Sequence, residues 1–271
     1  MTKEIVKIKT NEIISIYGEL STTKNLKPSR AVNDNFSKLV DIVDNTPTDI
    51  SEKILGEERI NVLRSKIREL SSTGEYELET FWSENILQSN DTRTSISKFP
   101  YIKNYEVLVS NEVQALTSCG IHTHHRILFV GSGPLPLSSM IMVEKYGFLV
   151  DNVDVDISAC EVSRKIVEKL GLSSTVQIIN KDILEIKDFS SYDAVFVAAL
   201  VGKDGEEKTK IVDHIAQHAR KGTHVILRSV TDLGVLLYPE VKFEHLKSME
   251  AVKIYDKQPG VINNLIIGRT K

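Results

Sequence analysis

From Arg126 to the C-terminal end, short apolar runs alternate with amphipathic stretches, and few folds are open to a chain with that rhythm. Strands that read as continuous apolar runs are buried on both faces, and the helices between them carry each strand to the next in parallel. The runs predict strands over 126–130, 149–154, 175–179, 193–199 and 223–228, with helices over 135–146, 157–170 and 206–219. Two more strand candidates, 250–255 and 262–268, have no helix between them and predict an antiparallel edge hairpin. Residues 1–125 carry helical spacing instead, near 11–20, 32–44, 52–70, 76–88 and 102–118, punctuated by Pro28, Pro47 and Pro100. The polar stretch SNDTRTSIS, residues 89–97, predicts a loop between two of those helices. An all-α domain over 1–125 followed by a doubly wound α/β domain over 126–271 is the expected organisation.

The first strand, Ile127-Leu128-Phe129-Val130, runs into Gly131-Ser132-Gly133 and then Pro134-Leu135-Pro136. Glycines let a ligand approach backbone that a side chain would block. A dinucleotide loop wants a third glycine where Pro136 stands, and a pyrophosphate wants N–H groups that Pro134 and Pro136 lack, so this loop suits NAD poorly. S-adenosylmethionine carries no phosphate, and its methionine part needs only a glycine-bounded shelf. The second strand ends in NVDVDIS, where Asp154 and Asp156 flank Val155 and face one side of an extended chain. A carboxylate there accepts two hydrogen bonds from a ribose diol; the turn needed before the next helix favours Asp154, with Asp156 in reserve. After the third strand, Asp182 and Ile183 fall where an acid accepts from the amine of adenine, and Ala198, Ala199 and Leu200 reach the same rim from the fourth.

A net charge of -3 and a pI near 6.2 give no reason to expect a nucleic acid partner. The N-terminal stretch lacks the apolar core of a signal peptide and no run is long enough to span a membrane, so a cytoplasmic location is expected. Cys119 and Cys160 read as reduced packing residues. His122, His124 and His125 lie at the wrong end of the first strand, and His214 and His218 lack further ligands, so no metal site is expected.

The blocks IYGELSTTKNLKPSRAVNDNFSKLV, YELETFW, FPYIKNYEVL, FVGSGPLPL, VDVDIS, YDAVFVAALVGKDGE, LRSV and LLYPEV occur in one order along nearly the whole chain. By them the chain resembles the nicotianamine synthases, and within that family the bacterial branch that makes opine-type metallophores. The resemblance implies a Rossmann-like, class I methyltransferase-like fold whose helical domain roofs the active site. It also implies an aminobutanoyl (3-amino-3-carboxypropyl) transferase with S-adenosylmethionine as co-substrate. In such an enzyme an amine attacks the γ-carbon of the methionine part and 5'-methylthioadenosine leaves; a methyltransferase attacks the methyl carbon on the same sulfur. The implied acceptor is histidine in its D form, with a histidine racemase and an opine-type dehydrogenase as functional partners. A homodimer is left open.

Glu79, in LETFW, matches the family's catalytic glutamate, and Glu84 is a second candidate on the same helix. Tyr105 is expected to cover the methionine tail, and Tyr17 and Tyr238 to contact the acceptor. Arg228 ends the fifth strand and can hold a substrate carboxylate bidentately or form an internal ion pair. Where the family carries an arginine before LYP, this chain has Gly234, and the lost cation implies a single transfer to a different acceptor. An amine N-methyltransferase and a non-catalytic nucleotide-binding subunit are the competing readings.

Overall fold

The structure, a computed structural model, describes residues 2–271. Six helices come first: α1 (Thr2–Ser21), α2 (Arg30–Asn45), α3 (Thr48–Leu55), α4 (Glu58–Gln88), α5 (Thr92–Ile96) and α6 (Ile102–Ser118). Ser29 opens α2 by accepting the Val32 N–H at 3.3 Å, directly after Pro28 has ended the preceding turn. The expected 52–70 helix is two elements, because the chain breaks at Gly56 and restarts at Glu58. The expected gap between 70 and 76 is instead continuous helix, and α4 runs for 31 residues. Gly74 sits inside it because a β-carbon there would meet the Phe36 ring at 2.3 Å, so the residue serves close packing and does not break the helix. The stretch expected to be a loop holds α5, since Asp91 accepts the Thr94 N–H at 3.0 Å; residues that favour turns also cap helices.

The sheet has seven strands in the order β3-β2-β1-β4-β5-β7-β6: β1 (Arg126–Val130), β2 (Leu149–Asp154), β3 (Val176–Asn180), β4 (Ala194–Val197), β5 (His224–Ser229), β6 (Met249–Tyr255) and β7 (Asn264–Thr270). The first five are parallel and the β6–β7 hairpin adds on antiparallel through β7, the pattern expected for a Rossmann-like sheet. Crossover helices α7 (Leu137–Tyr146), α8 (Ile157–Lys169) and α9 (Gly205–His218) cover its faces. Strand order reverses between β1 and β4, which opens a crevice at their C-terminal ends.

The cores cross the boundary at Arg126. Val109, Val113 and Leu116 of α6 pack with Phe129 and Phe196 on one sheet face, and α9 packs through Ile211, Val212 and Ile215 on the other. In return, Leu233 and Leu236, in a 3-10 turn at Asp232–Leu236, are fully buried among α1, α2 and α3. Each such side chain contributes roughly 1.5–3 kcal/mol on burial, so the helices are fixed over the crevice by shared apolar surface.

Candidate active site

The crevice between β1 and β4 opens into a cavity of about 1450 Å³, floored by the glycine loop and roofed by α2, α4 and α6. Gly131 and Gly133 hold φ of 79° and 64°, the left-handed region that glycine adopts without strain. The Gly133 N–H donates to Asp154 Oδ2 at 2.8 Å, and the Asp156 N–H donates to Asp154 Oδ1 at 3.0 Å. Asp154 thereby ties the end of β2 to the loop. Asp156 caps α8 through Oδ1, accepting the Ser158 and Ala159 N–H groups at 2.7 and 3.2 Å. Ser83 of α4 donates to the Pro134 carbonyl at 3.0 Å, so the proline lip is clamped to the roof. Ser132 is 9% exposed and its Oγ has no partner among the described residues, the signature of a polar atom kept for a ligand.

The remaining rim residues reach the cavity from the ends of β1, β2, β3 and β4. Leu135, Val155 and Ile183 line it, as do Ala198, Ala199 and Leu200. Asp182 lines it too and uses Oδ1 to accept the Leu184 N–H at 2.9 Å. Beneath Ala198 lies Lys208, fully buried, whose Nζ donates to the carbonyls of Ala198, Ala199 and Arg228 at 2.7, 2.8 and 2.9 Å. Burial, with the Arg228 charge, pulls this lysine down to about 7. Three carbonyl acceptors match the three N–H bonds of an ammonium, so the geometry is that of the charged form.

Of the α4 carboxylates that line the cavity, two lie one helical turn apart beside buried tyrosines. Glu79 is 9% exposed and accepts the Tyr105 hydroxyl at 3.0 Å; a β-carbon on Gly133 would lie 2.7 Å from its Oε2, so glycine is required where the carboxylate meets the loop. Glu75, one turn earlier, accepts the Tyr238 hydroxyl at 3.1 Å. Burial raises Glu79 well above the usual carboxylate range, and the Glu75 and Asp154 charges add to this while Tyr105 and Arg228 oppose it. Burial likewise raises Glu75, against the Tyr238 hydrogen bond and the Arg228 charge. Tyr105 and Tyr238 are pushed well up by burial and by the carboxylates beside them, so both hydroxyls stay donors.

Several expected positions are used differently: Arg228 lines the cavity but is already paired, and Glu84, Tyr17 and Gly234 lie off its wall. Arg228 resolves to the internal ion pair: its Nε and Nη2 meet Glu112 Oε1 and Oε2 at 2.6 and 3.0 Å, and Nη2 also donates to Ser138 at 2.7 Å. Glu112 is fully buried on α6 and requires that partner, which leaves no bidentate fork for a substrate. Glu84 is exposed and off the cavity wall, because five helical positions past Glu79 rotate it about 140° to the outer face. Tyr17 is half-buried against the helical core and does not line the cavity. Gly234 is packed in the 3-10 turn, where a β-carbon would meet Val230 at 2.9 Å, so it governs packing and not the cavity's charge. Glu75, Lys208 and Asn263 are cavity or rim residues that sequence reading missed; for Glu75 the four-residue step to Glu79 in EYELE was the available signal. Among the described residues no cluster of His, Cys, Asp or Glu could hold a metal ion, and no helix is long and apolar enough to cross a membrane.

Comparison with known proteins bears on this architecture. The profile of the family described as nicotianamine synthase protein matches residues 2–271. Nicotianamine synthase 2 of Arabidopsis thaliana is 32% identical over 263 residues, which cover 95% of this chain and 82% of the relative. The nicotianamine synthase of Solanum lycopersicum is similar to the same extent, 32% over 263 residues with 95% and 82% covered. The crystal structure of MtNAS in complex with MTA and tNA superimposes with a TM-score of 0.86 at 22% identity, over 96% of this chain and 97% of that one. A mutant of MtNAS in complex with S-adenosylmethionine gives 0.84 at 22% identity over the same shares. The fold is therefore that of MtNAS, a methyltransferase-like α/β sheet with a helical roof.

Proposed function

The chain belongs to the nicotianamine synthase family, and from that premise we propose that it transfers the aminobutanoyl group of S-adenosylmethionine to the α-amine of an amino acid, releasing 5'-methylthioadenosine. The observation that carries this reading is Glu79, a desolvated carboxylate held by Tyr105 directly over the glycine loop. The co-substrate supplies a sulfonium whose γ-carbon is open to displacement.

In this reading the loop at Gly131–Gly133 shelves the methionine part, with Ser132 Oγ as a free hydrogen-bonding group, and Ala198–Leu200 border the adenine beside Asp182 and Ile183. Asp154 and Asp156 each accept two backbone N–H groups and Asp156 also meets the Tyr76 hydroxyl, so we assign the ribose hydroxyls to this pair of carboxylates, which both line the cavity. Glu79 orients the acceptor's α-ammonium and takes its proton; the freed nitrogen forms the N–C bond as the C–S bond breaks, and the electron pair stays on sulfur as a neutral thioether. A carboxylate raised toward neutrality is matched to that proton transfer. Tyr105 fixes the Glu79 carboxylate, and the roof excludes water that would hydrolyse the donor.

The acceptor we assign is histidine, in its D form, transferred to once, as a step toward a staphylopine-type metallophore. Resemblance to the opine-metallophore branch supports this, and it brings with it a histidine racemase upstream and a dehydrogenase that condenses the product with a keto acid. Incubation with S-adenosylmethionine and a panel of L- and D-amino acids, read by mass, tests it. Histidine carrying one added aminobutanoyl group, with methylthioadenosine, is the expected outcome; methylated acceptor with S-adenosylhomocysteine would sink it.

A further inference from the structure

The reaction above uses Glu79, and a second carboxylate of α4, Glu75, lines the cavity one helical turn away. Glu75 lies about 6 Å along α4 from Glu79 on the same face. Ser83, one turn on the other side of Glu79, is the residue that binds the proline lip, so Glu75 is on the side away from the donor's shelf. Around it are Tyr238, its hydrogen-bond partner, and the hydroxyls of Tyr101 and Tyr105, both pushed upward partly by its charge. The Phe36 ring packs on α4 at the adjacent Gly74. Among the described residues Glu75 forms no salt bridge, and the nearby Arg228 is already neutralised by Glu112. Glu75 is half-buried on the cavity wall with a single neutral donor, which leaves acceptor capacity that a ligand in the cavity can complete.

Two further atoms point to a ligand in this cavity. Ser132 Oγ, on a residue 9% exposed, and Asn263 Nδ2 are both buried and unpartnered. Asn263 lines the same cavity as Glu75 and Tyr238, and its neighbour Ile262 packs against the helical-domain cluster that Tyr238 also joins.

We propose that Glu75 and Tyr238 form a subsite for the acceptor's side chain and select acceptors whose side chain presents an N–H donor, with Asn263 donating to the acceptor's carboxylate. An aromatic wall beside a carboxylate suits a flat, N–H-bearing ring. The subsite rests on the transferase reading above but selects the acceptor independently of the reacting carbon.

The test compares wild type, Glu75→Gln and Tyr238→Phe with histidine and alanine of the same handedness. Methylthioadenosine release gives kcat and KM, and calorimetry on protein saturated with methylthioadenosine gives acceptor binding without turnover. Wild type is expected to favour histidine, and Glu75→Gln to lower the histidine-to-alanine ratio of kcat/KM and of binding by about tenfold or more, while any effect on kcat through Glu79 is common to both acceptors and cancels in the ratio. An unchanged histidine-to-alanine ratio in the variants, or a wild-type preference for alanine, overturns the subsite. If no methylthioadenosine forms with any acceptor, the transferase reading fails, and the binding comparison still decides the subsite.

Discussion

Glu79 meets three demands at one point: it caps the space above Gly133, accepts from Tyr105, and lies within the field of Glu75 and Asp154. Removing its charge by Glu79→Gln should lower kcat by about 10²- to 10⁴-fold, measured as methylthioadenosine release. The same substitution has a stability consequence. Unfolded, the carboxyl titrates near its ordinary 4.5; folded and free of ligand, it holds its proton to higher pH. The native state then binds more protons than the unfolded one, so stability is full below about 4.5 and falls as pH rises through the folded value. The Gln variant should therefore melt above wild type at pH 8, with the gap closing near pH 4. Tyr105→Phe removes a donor that lowers Glu79, while Glu75, Asp154 and Arg228 remain, so the acid limb of the kcat/KM profile should move to higher pH. A limb that moves down would contradict the assigned direction. Glu79 was legible because a whole block of sequence surrounds it. Arg228 was not, since its partner Glu112 is 116 residues away with no spacing to betray it, and a helical glutamate such as Glu75 reads as solvent-facing until its burial is known.

At the scale of elements, the apolar runs made the strands legible, most directly β1, β4 and β5, whose burial on both faces leaves a signature that needs no tertiary information. Helix ends were less so: α4 continues through Gly74 only because Phe36, from another helix, fills the space beside it. Lys208 shows the same limit. On α9 it reads as a surface lysine, yet it joins the ends of β4 and β5 by binding three carbonyls. Lys208→Met would remove the lysine from the Ala199 and Arg228 carbonyls at roughly 1–3 kcal/mol each, while Ala198 keeps the Val201 N–H at 3.3 Å, so a loss of about 2 kcal/mol or more is expected in urea unfolding. The rim at Ala198 and Ala199 should loosen with it and weaken S-adenosylmethionine binding. A loss under 1 kcal/mol would show that the carbonyls find other partners.

Over the whole molecule, the helical and sheet halves bury each other's apolar faces: α6 covers the sheet, and the 3-10 turn after β5 fills the helical core. Reading the sequence in two halves captured the change of texture at Arg126 but not this exchange, which depends on contacts between distant segments. One cooperative thermal transition is expected for the intact chain, and two well-separated transitions would contradict the shared cores. That shared construction holds Glu79, on a helix, against a loop that begins the sheet, and in the proposed reaction it sets the acceptor over one carbon of the donor. The most direct test is a single turnover with S-adenosylmethionine labelled in the aminobutanoyl carbons and a histidine acceptor. Label recovered on histidine, with unlabelled methylthioadenosine, is the result expected of aminobutanoyl transfer; label retained in S-adenosylhomocysteine, with a methylated acceptor, contradicts it.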